Sequence, residues 1–213
     1  RMMSSQTCIH QLVMRLIGLV ILMTSAFHVA AQNPTIWCDV LNFQHDDQPF
    51  VEIHLEFESS FMTARQDSNG WRTNTEIQVI IESGDNIVAF SKSEVYGASD
   101  STELLAQYGT QFHLERIQVA SGSYRLHVSV RDLNDEQGEP TEIQQDLVVP
   151  STGPPQWSDV FLVGAYAPSD ETSLTSLSRS GFDMLPLVGA QFSADMQQLQ
   201  FYGELYHVDE VVD

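Results

Sequence analysis

From Tyr124 to Arg131 the chain changes character at every residue. Tyr124, Leu126, Val128 and Val130 are apolar, and Arg125, His127, Ser129 and Arg131 between them are polar. Successive side chains of a β-strand point to opposite faces, so this period of two predicts a strand with one face in a core and one in water. The pattern recurs at Val51, Ile53, Leu55 and Phe57, interleaved with Glu52, His54 and Glu56, and again at Thr73, Thr75, Ile77, Val79 and Ile81. Each apolar side chain of the 51–57 strand contributes about 1.5–3 kcal/mol on burial, before the entropy of ordering is subtracted.

Turn signals separate these runs. Asn69-Gly70, Ser83-Gly84-Asp85-Asn86 and Ser121-Gly122-Ser123 break the chain, and Asn134–Pro140 reads as a polar hairpin loop answered by a strand at Ile143–Val149. Ile87–Ser91 and the stretch from Phe112 to Val119 supply further strands. Short strands joined by turns, without helical periodicity, predict an all-β fold: an antiparallel Ig-like β-sandwich over 35–149. Residues 150–157, PSTGPPQW, read as a Pro-rich linker. Residues 158–213 are expected to begin a second, incomplete β-rich domain, with strands at Ser158–Tyr166, Leu185–Phe192 and Leu199–Val208.

The first 31 residues read differently. Arg15 precedes an uncharged apolar run from Leu16 to Phe27, and Val29 and Ala31 stand at the −3 and −1 positions before Gln32. That is the layout of a cleavable signal peptide, with Met2, Met3 and Met14 as available starts and Met14 giving the most compact leader. The run is about 12 residues, against roughly 20 for a spanning helix, which argues against a membrane anchor. Cys38 lies too far past the cleavage site to be a lipoprotein cysteine. The expected location is therefore exported: periplasmic, outer-membrane-associated or extracellular. No later segment is apolar enough to span a bilayer.

Removing residues 1–31, which hold Arg1, Arg15 and Cys8 but no acidic residue, takes the formal net charge from −20 to −22. Such a field repels nucleic acid and anionic membrane surfaces, so neither is an expected partner. Cys38 is left as the sole cysteine, which excludes an internal disulfide and a thiolate metal cluster. Its apolar surroundings predict a buried, inert thiol.

Four segments in order carry a family resemblance. They are Val51-Glu52-Ile53, the G-x-Y-x-L-x-V-x-V-x-D strand from Gly122 to Asp132, Ser158-Asp159-Val160, and Phe201-Tyr202-Gly203-Glu204-Leu205-Tyr206. Together they resemble the N-terminal β-sandwich region of the GWxTD-domain proteins, exported proteins of Bacteroidota and related bacteria, over residues 37–208. Gly70-Trp71-Arg72-Thr73-Asn74 mimics the family signature, but it has Asn where Asp is expected and lies in the sandwich, so the C-terminal signature domain is read as absent. The resemblance implies an exported protein from a family of largely unknown function, and it carries over no catalytic residue.

Glu52, His54 and Glu56 share one strand face, where ligands can converge on a metal. The stronger expectation is a solvated outer face, with Glu52 and Glu56 paired to Arg125 or Arg131. Asp132, Asn134, Asp135 and Glu136, with Glu139, crowd one loop and are the weak candidates for a Ca²⁺ site. Gln137 and Ile143 stand where an EF-hand needs Gly and Glu, so a soluble hairpin tip is the stronger reading. His45-Asp46-Asp47 is read the same way. Trp71 is expected in the core and Trp157 packed between domains. The chain has no G-x-S-x-G, S-x-x-K or H-E-x-x-H motif and no Gly-rich phosphate loop. No cofactor and no catalytic residue are assigned. The expected function is a non-catalytic module for protein–protein contact or scaffolding in the bacterial envelope. The alternative is an accessory N-terminal region of a larger secreted enzyme that continues past Asp213, and a Ca²⁺-stiffened spacer is a third reading.

Overall fold

A computed structural model describes residues 35–208, apart from 69, 100–109, 154–155, 171, 191, 193 and 195. The expected leader, residues 1–31, lies outside the described residues, as do 209–213. The fold is all-β and antiparallel. Its strands are β1 (Ile36–His45), β2 (Gln48–Glu58), β3 (Arg65–Asp67), β4 (Gly70–Ser83), β5 (Asn86–Ser99), β6 (Thr110–Gln118), β7 (Gly122–Asp132) and β8 (Thr141–Val149), followed by six more. Those are β9 (Gln156–Trp157), β10 (Phe161–Pro168), β11 (Ser178–Arg179), β12 (Phe182–Pro186), β13 (Gln200–Tyr202) and β14 (Leu205–Tyr206). No helix among the described residues is long and apolar enough to cross a membrane.

Two sheets face each other. One runs β1-β2-β6; in the other, β4 pairs with β3, β5 and β7, and β7 pairs with β8. The alternation seen in the sequence decides what lies between them. Val51, Ile53, Leu55 and Phe57 of β2 meet Ile77, Val79 and Ile81 of β4, Leu126, Val128 and Val130 of β7, and Leu147 and Val149 of β8. Each position is one of every second residue of its strand, so a register slip of one would turn the whole set to the other face. The hairpins that fix register use tight turns. Ser83 pairs with Asn86 around Gly84-Asp85, and Gly84 has φ 60°, a left-handed conformation that costs glycine nothing. Asp46 and Asp47 turn β1 into β2 with φ 48° and 61°, positions that Asp tolerates better than most residues.

A third layer covers the outer face of the β1-β2-β6 sheet. It is the small sheet β11-β12-β10-β13. Leu41 and Phe43 of β1 pack with Phe161 and Val163 of β10, with Phe50, Met184 and Tyr202 alongside. The expected strands after residue 157 are shorter than the sequence suggested. The 158–166 strand starts at Phe161, the 185–192 segment leaves its strand at Pro186 and enters a 3₁₀ turn at Val188–Ala190, and the 199–208 segment divides into β13 and β14. Gly189 in that turn has φ 64°, and a Cβ there would run into the Trp37 ring at 2.5 Å. Trp157 is not packed between layers but 69% exposed, a correction to the expectation. Trp71 is half-buried at the start of β4.

Candidate functional site

The polar face of β2 is not solvated. Glu52 and His54 are each 1% exposed, because the small sheet lies over them. This overturns the expected outer face. The expected pairing to Arg125 or Arg131 also fails, since those residues lie on β7 in the other sheet, where Arg125 reaches Asp146 at 3.5 Å. Glu56 is half-buried.

Two arginine side chains converge on the Glu52 carboxylate of this buried pair instead. His54 Nε2 is hydrogen-bonded to Glu52 Oε2 at 3.0 Å. Arg116 of β6 donates from Nε to Glu52 Oε1 at 2.6 Å and from Nη2 to the Ser176 carbonyl at 2.9 Å. Arg179 of β11 donates from Nη2 to the same Oε1. Its guanidinium lies over the ring of Phe43, 4.4 Å from the centroid, and its Nη1 is 3.6 Å from Glu204. Glu204 in turn accepts from Tyr202 Oη at 2.7 Å and Tyr206 Oη at 2.5 Å. Burial pushes the Glu52 carboxyl up, but the His54 hydrogen bond and the two guanidinium groups outweigh it and hold the carboxyl below the usual glutamate range. Burial, with the hydrogen bond to Glu204, pushes the Tyr206 phenol up. An isolated buried carboxylate is costly, and here paired charges and hydrogen bonds compensate it. The cluster therefore clamps the small sheet to the sandwich through residues on β2, β6 and β11. An open cleft of about 670 Å³ lies beside it, with Phe50, Arg116, Gln118, Arg179 and Glu204 in its wall.

Beside Val163, Met184 and Tyr202 of its apolar contact with β1, the small sheet also carries exposed apolar side chains. Tyr166 and Phe182 meet edge to face at 5.9 Å between centroids. With Leu199 (62% exposed) and Phe201 (72% exposed) they line an open groove of about 390 Å³. Trp157, Leu174, Leu185, Phe192, Met196 and Leu205 add further exposed apolar side chains to the same 156–208 segment.

The Asp132–Glu136 loop serves the backbone. Asp132 accepts from Thr63 N at 2.6 Å through Oδ2 and from Asn134 N at 2.9 Å through Oδ1. Asn134 Nδ2 donates to the carbonyls of Thr63 and Arg72 at 2.8 and 3.0 Å, and Arg65 donates to the Asn134 carbonyl at 2.6 Å. Asp135 accepts from Gln137 N at 3.0 Å, and Glu136 lies 3.5 Å from Arg65. The loop between β7 and β8 is thereby stapled to the start of β4. Among the described residues no group of three or more His, Cys, Asp or Glu is placed to hold a metal ion. His45 and Asp46 sit 3.5 Å apart at the β1–β2 turn, and Asp47 lies 3.2 Å from His207. Cys38 is half-buried, and desolvation, with Asp39 beside it, pushes its thiol up to about 12.

Sequence reasoning missed Arg116, Arg179 and Glu204, because nothing along the chain marks residues 127 positions apart as partners. One signal was available: β1 carries apolar residues on both faces, Ile36, Cys38 and Val40 on one and Trp37, Leu41 and Phe43 on the other. A strand of that kind is covered on both sides. In comparisons with known proteins, no family model and no curated protein matches this chain.

Proposed function

We propose that this chain is an exported, non-catalytic β-sandwich module that makes protein–protein contact in the bacterial envelope, with the small sheet as its docking face. The observation that carries the reading is the apolar groove of Tyr166, Phe182, Leu199 and Phe201, held on a framework that the Glu52 cluster fixes in place. Contiguous exposed apolar surface on a soluble protein marks an interaction site. The formal net charge of −20 selects a partner with an apolar protrusion and a basic rim. The acid–base groups support a structural rather than a chemical role: His54 is tied to Glu52, His113 to Glu115 and His127 to Glu82. The leader-like residues 14–31 and the resemblance to the GWxTD-domain exported proteins support the envelope assignment.

A photo-crosslinking side chain placed at Phe201, and as a control at Asp85 in the β4–β5 turn, tests this in envelope extracts. The reading expects one saturable protein adduct at position 201 that is absent at 85 and lost in Phe182→Asp. Equal labelling at both positions, or none at 201 in a folded protein, would sink it.

A further inference from the structure

The edges of the two main sheets are treated unequally. On β1, the Asp159 amide donates to the Asn42 carbonyl at 2.9 Å, Asp159 Oδ2 accepts from the Asn42 amide at 2.7 Å, and Tyr206 Oη accepts from the Gln44 amide at 3.2 Å. β5 and β6 lie side by side, with Ser91 and Ser93 donating to Glu115 at 2.8 and 3.0 Å. β8 pairs with β7 and with no other strand among the described residues. Natural sheets blunt such an edge with a bulge, a proline or charged side chains, lysine above all, and most effectively with a charge pointing inward. β8, TEIQQDLVV, has no bulge, lysine, proline or inward charge; its two acids, Glu142 and Asp146, lie on the exposed face, and its register to β7 is unbroken from Thr141 to Val149.

We infer that β8 is a self-association edge, pairing antiparallel with β8 of a second copy about a two-fold axis at Gln145. Two independent features select this occupant and this register. The first is length. Pro140 and Pro150 bound the strand symmetrically about Gln145, so this axis alone pairs the strand along its full length. The second is chemistry. With the axis at Gln145, the inward face sets Ile143 against Leu147 of the second copy on each side of a central Gln145–Gln145 pair, with Thr141 facing Val149 at the ends. On the exposed face Gln144 meets Asp146, and Glu142 meets Val148. Moving the axis to Gln144 sets Glu142 opposite Asp146, and moving it to Asp146 sets that residue against itself. Both put like charges directly opposite, which destabilises a strand pair. Moving it by half a residue would oppose inward and outward side chains, which the pleat forbids.

The isologous pairing adds one strand to another and buries less than the about 1,200 Å² of stable complexes, so it is a concentration-dependent equilibrium. Each copy carries a formal net charge of −20, and its repulsion is screened over about 8 Å at physiological ionic strength. Added salt therefore favours the dimer.

Light scattering on the full chain at increasing protein and NaCl concentration tests association, and cysteine crosslinking tests its register. With Cys8 replaced by Ser, Gln145→Cys places two thiols on directly opposed residues, at about 4.5–5.5 Å between Cα atoms, inside the disulfide range. Gln144→Cys and Asp146→Cys each place their copy two residues out of register. The expected result is a dimer fraction that rises with salt, and a disulfide at 145 that forms several-fold faster than at 144 or 146. A monomer at every concentration and salt level overturns the inference, and so does a dimer that crosslinks equally well at all three positions.

Discussion

Arg179 and Glu52 form an ion pair across 127 residues of sequence, with the Arg179 side chain 12% exposed and that of Glu52 1%. Removing one member of a buried pair leaves the other charge without compensation. Glu52→Ala is therefore expected to lower stability by about 3–5 kcal/mol in urea unfolding, mostly through Arg179, since Arg116 is partly open to water. A loss indistinguishable from that of an exposed glutamate such as Glu142 would contradict the clamp.

The same pair gives a pH dependence with a fixed sign. The Glu52 carboxyl titrates below its ordinary value of 4.5 in the folded state. A depressed acid contributes stability above the unfolded-state pKa and loses it as pH falls through the folded-state pKa. The stability difference between wild type and Glu52→Gln should stay level above pH 4.5 and shrink below it. Melting temperatures of both proteins across that range check this, and a difference that widens on acidification would reverse the assignment.

The staple at Asn134 predicts a stability effect without a metal effect. Asn134→Ala removes two side-chain donors to the Thr63 and Arg72 carbonyls and should cost about 1–3 kcal/mol. Wild-type melts in calcium and in chelator should coincide, because Asp132 already accepts from two backbone amides. A calcium-dependent rise would restore the loop as a cation site.

Cys38 should resist alkylation in the native protein. Its thiol is pushed up to about 12, so little thiolate exists at mildly alkaline pH. Iodoacetamide labelling followed by mass spectrometry should show modification of Cys38 only after denaturant is added.

Two phenylalanines separate the core from the proposed docking face. Phe57 is fully buried between the main sheets, and Phe57→Ala should cost about 3–5 kcal/mol. Phe201 is exposed, and Phe201→Ala should stay within about 0.5 kcal/mol. Similar losses at both sites would mean that the face around Phe201 belongs to the core.

The sandwich was legible because its information is local. Alternation at 51–57, 73–81 and 124–130 names the residues that meet in the core, and Gly84 marks its own turn. The candidate site was not legible, because period two shows only that Glu52 and His54 oppose the main core. Whether that second face meets water depends on β10 to β13, which arrive more than 100 residues later. Polar residues on such a face look solvated in sequence whether a layer covers them or not. The short strands after Trp157 carry little periodicity, and their ends are set by Pro186 and Gly203 and by contacts with β1 and β2 rather than by pattern.

Hydrogen exchange on the Glu52→Gln variant tests the clamp most directly. If Glu52 holds the small sheet in place, amides of Phe161–Pro168 and Phe182–Pro186 lose protection in the variant while those of Gly122–Asp132 in β7 keep theirs. Unchanged protection in the small sheet, or an equal loss in β7, would contradict the account.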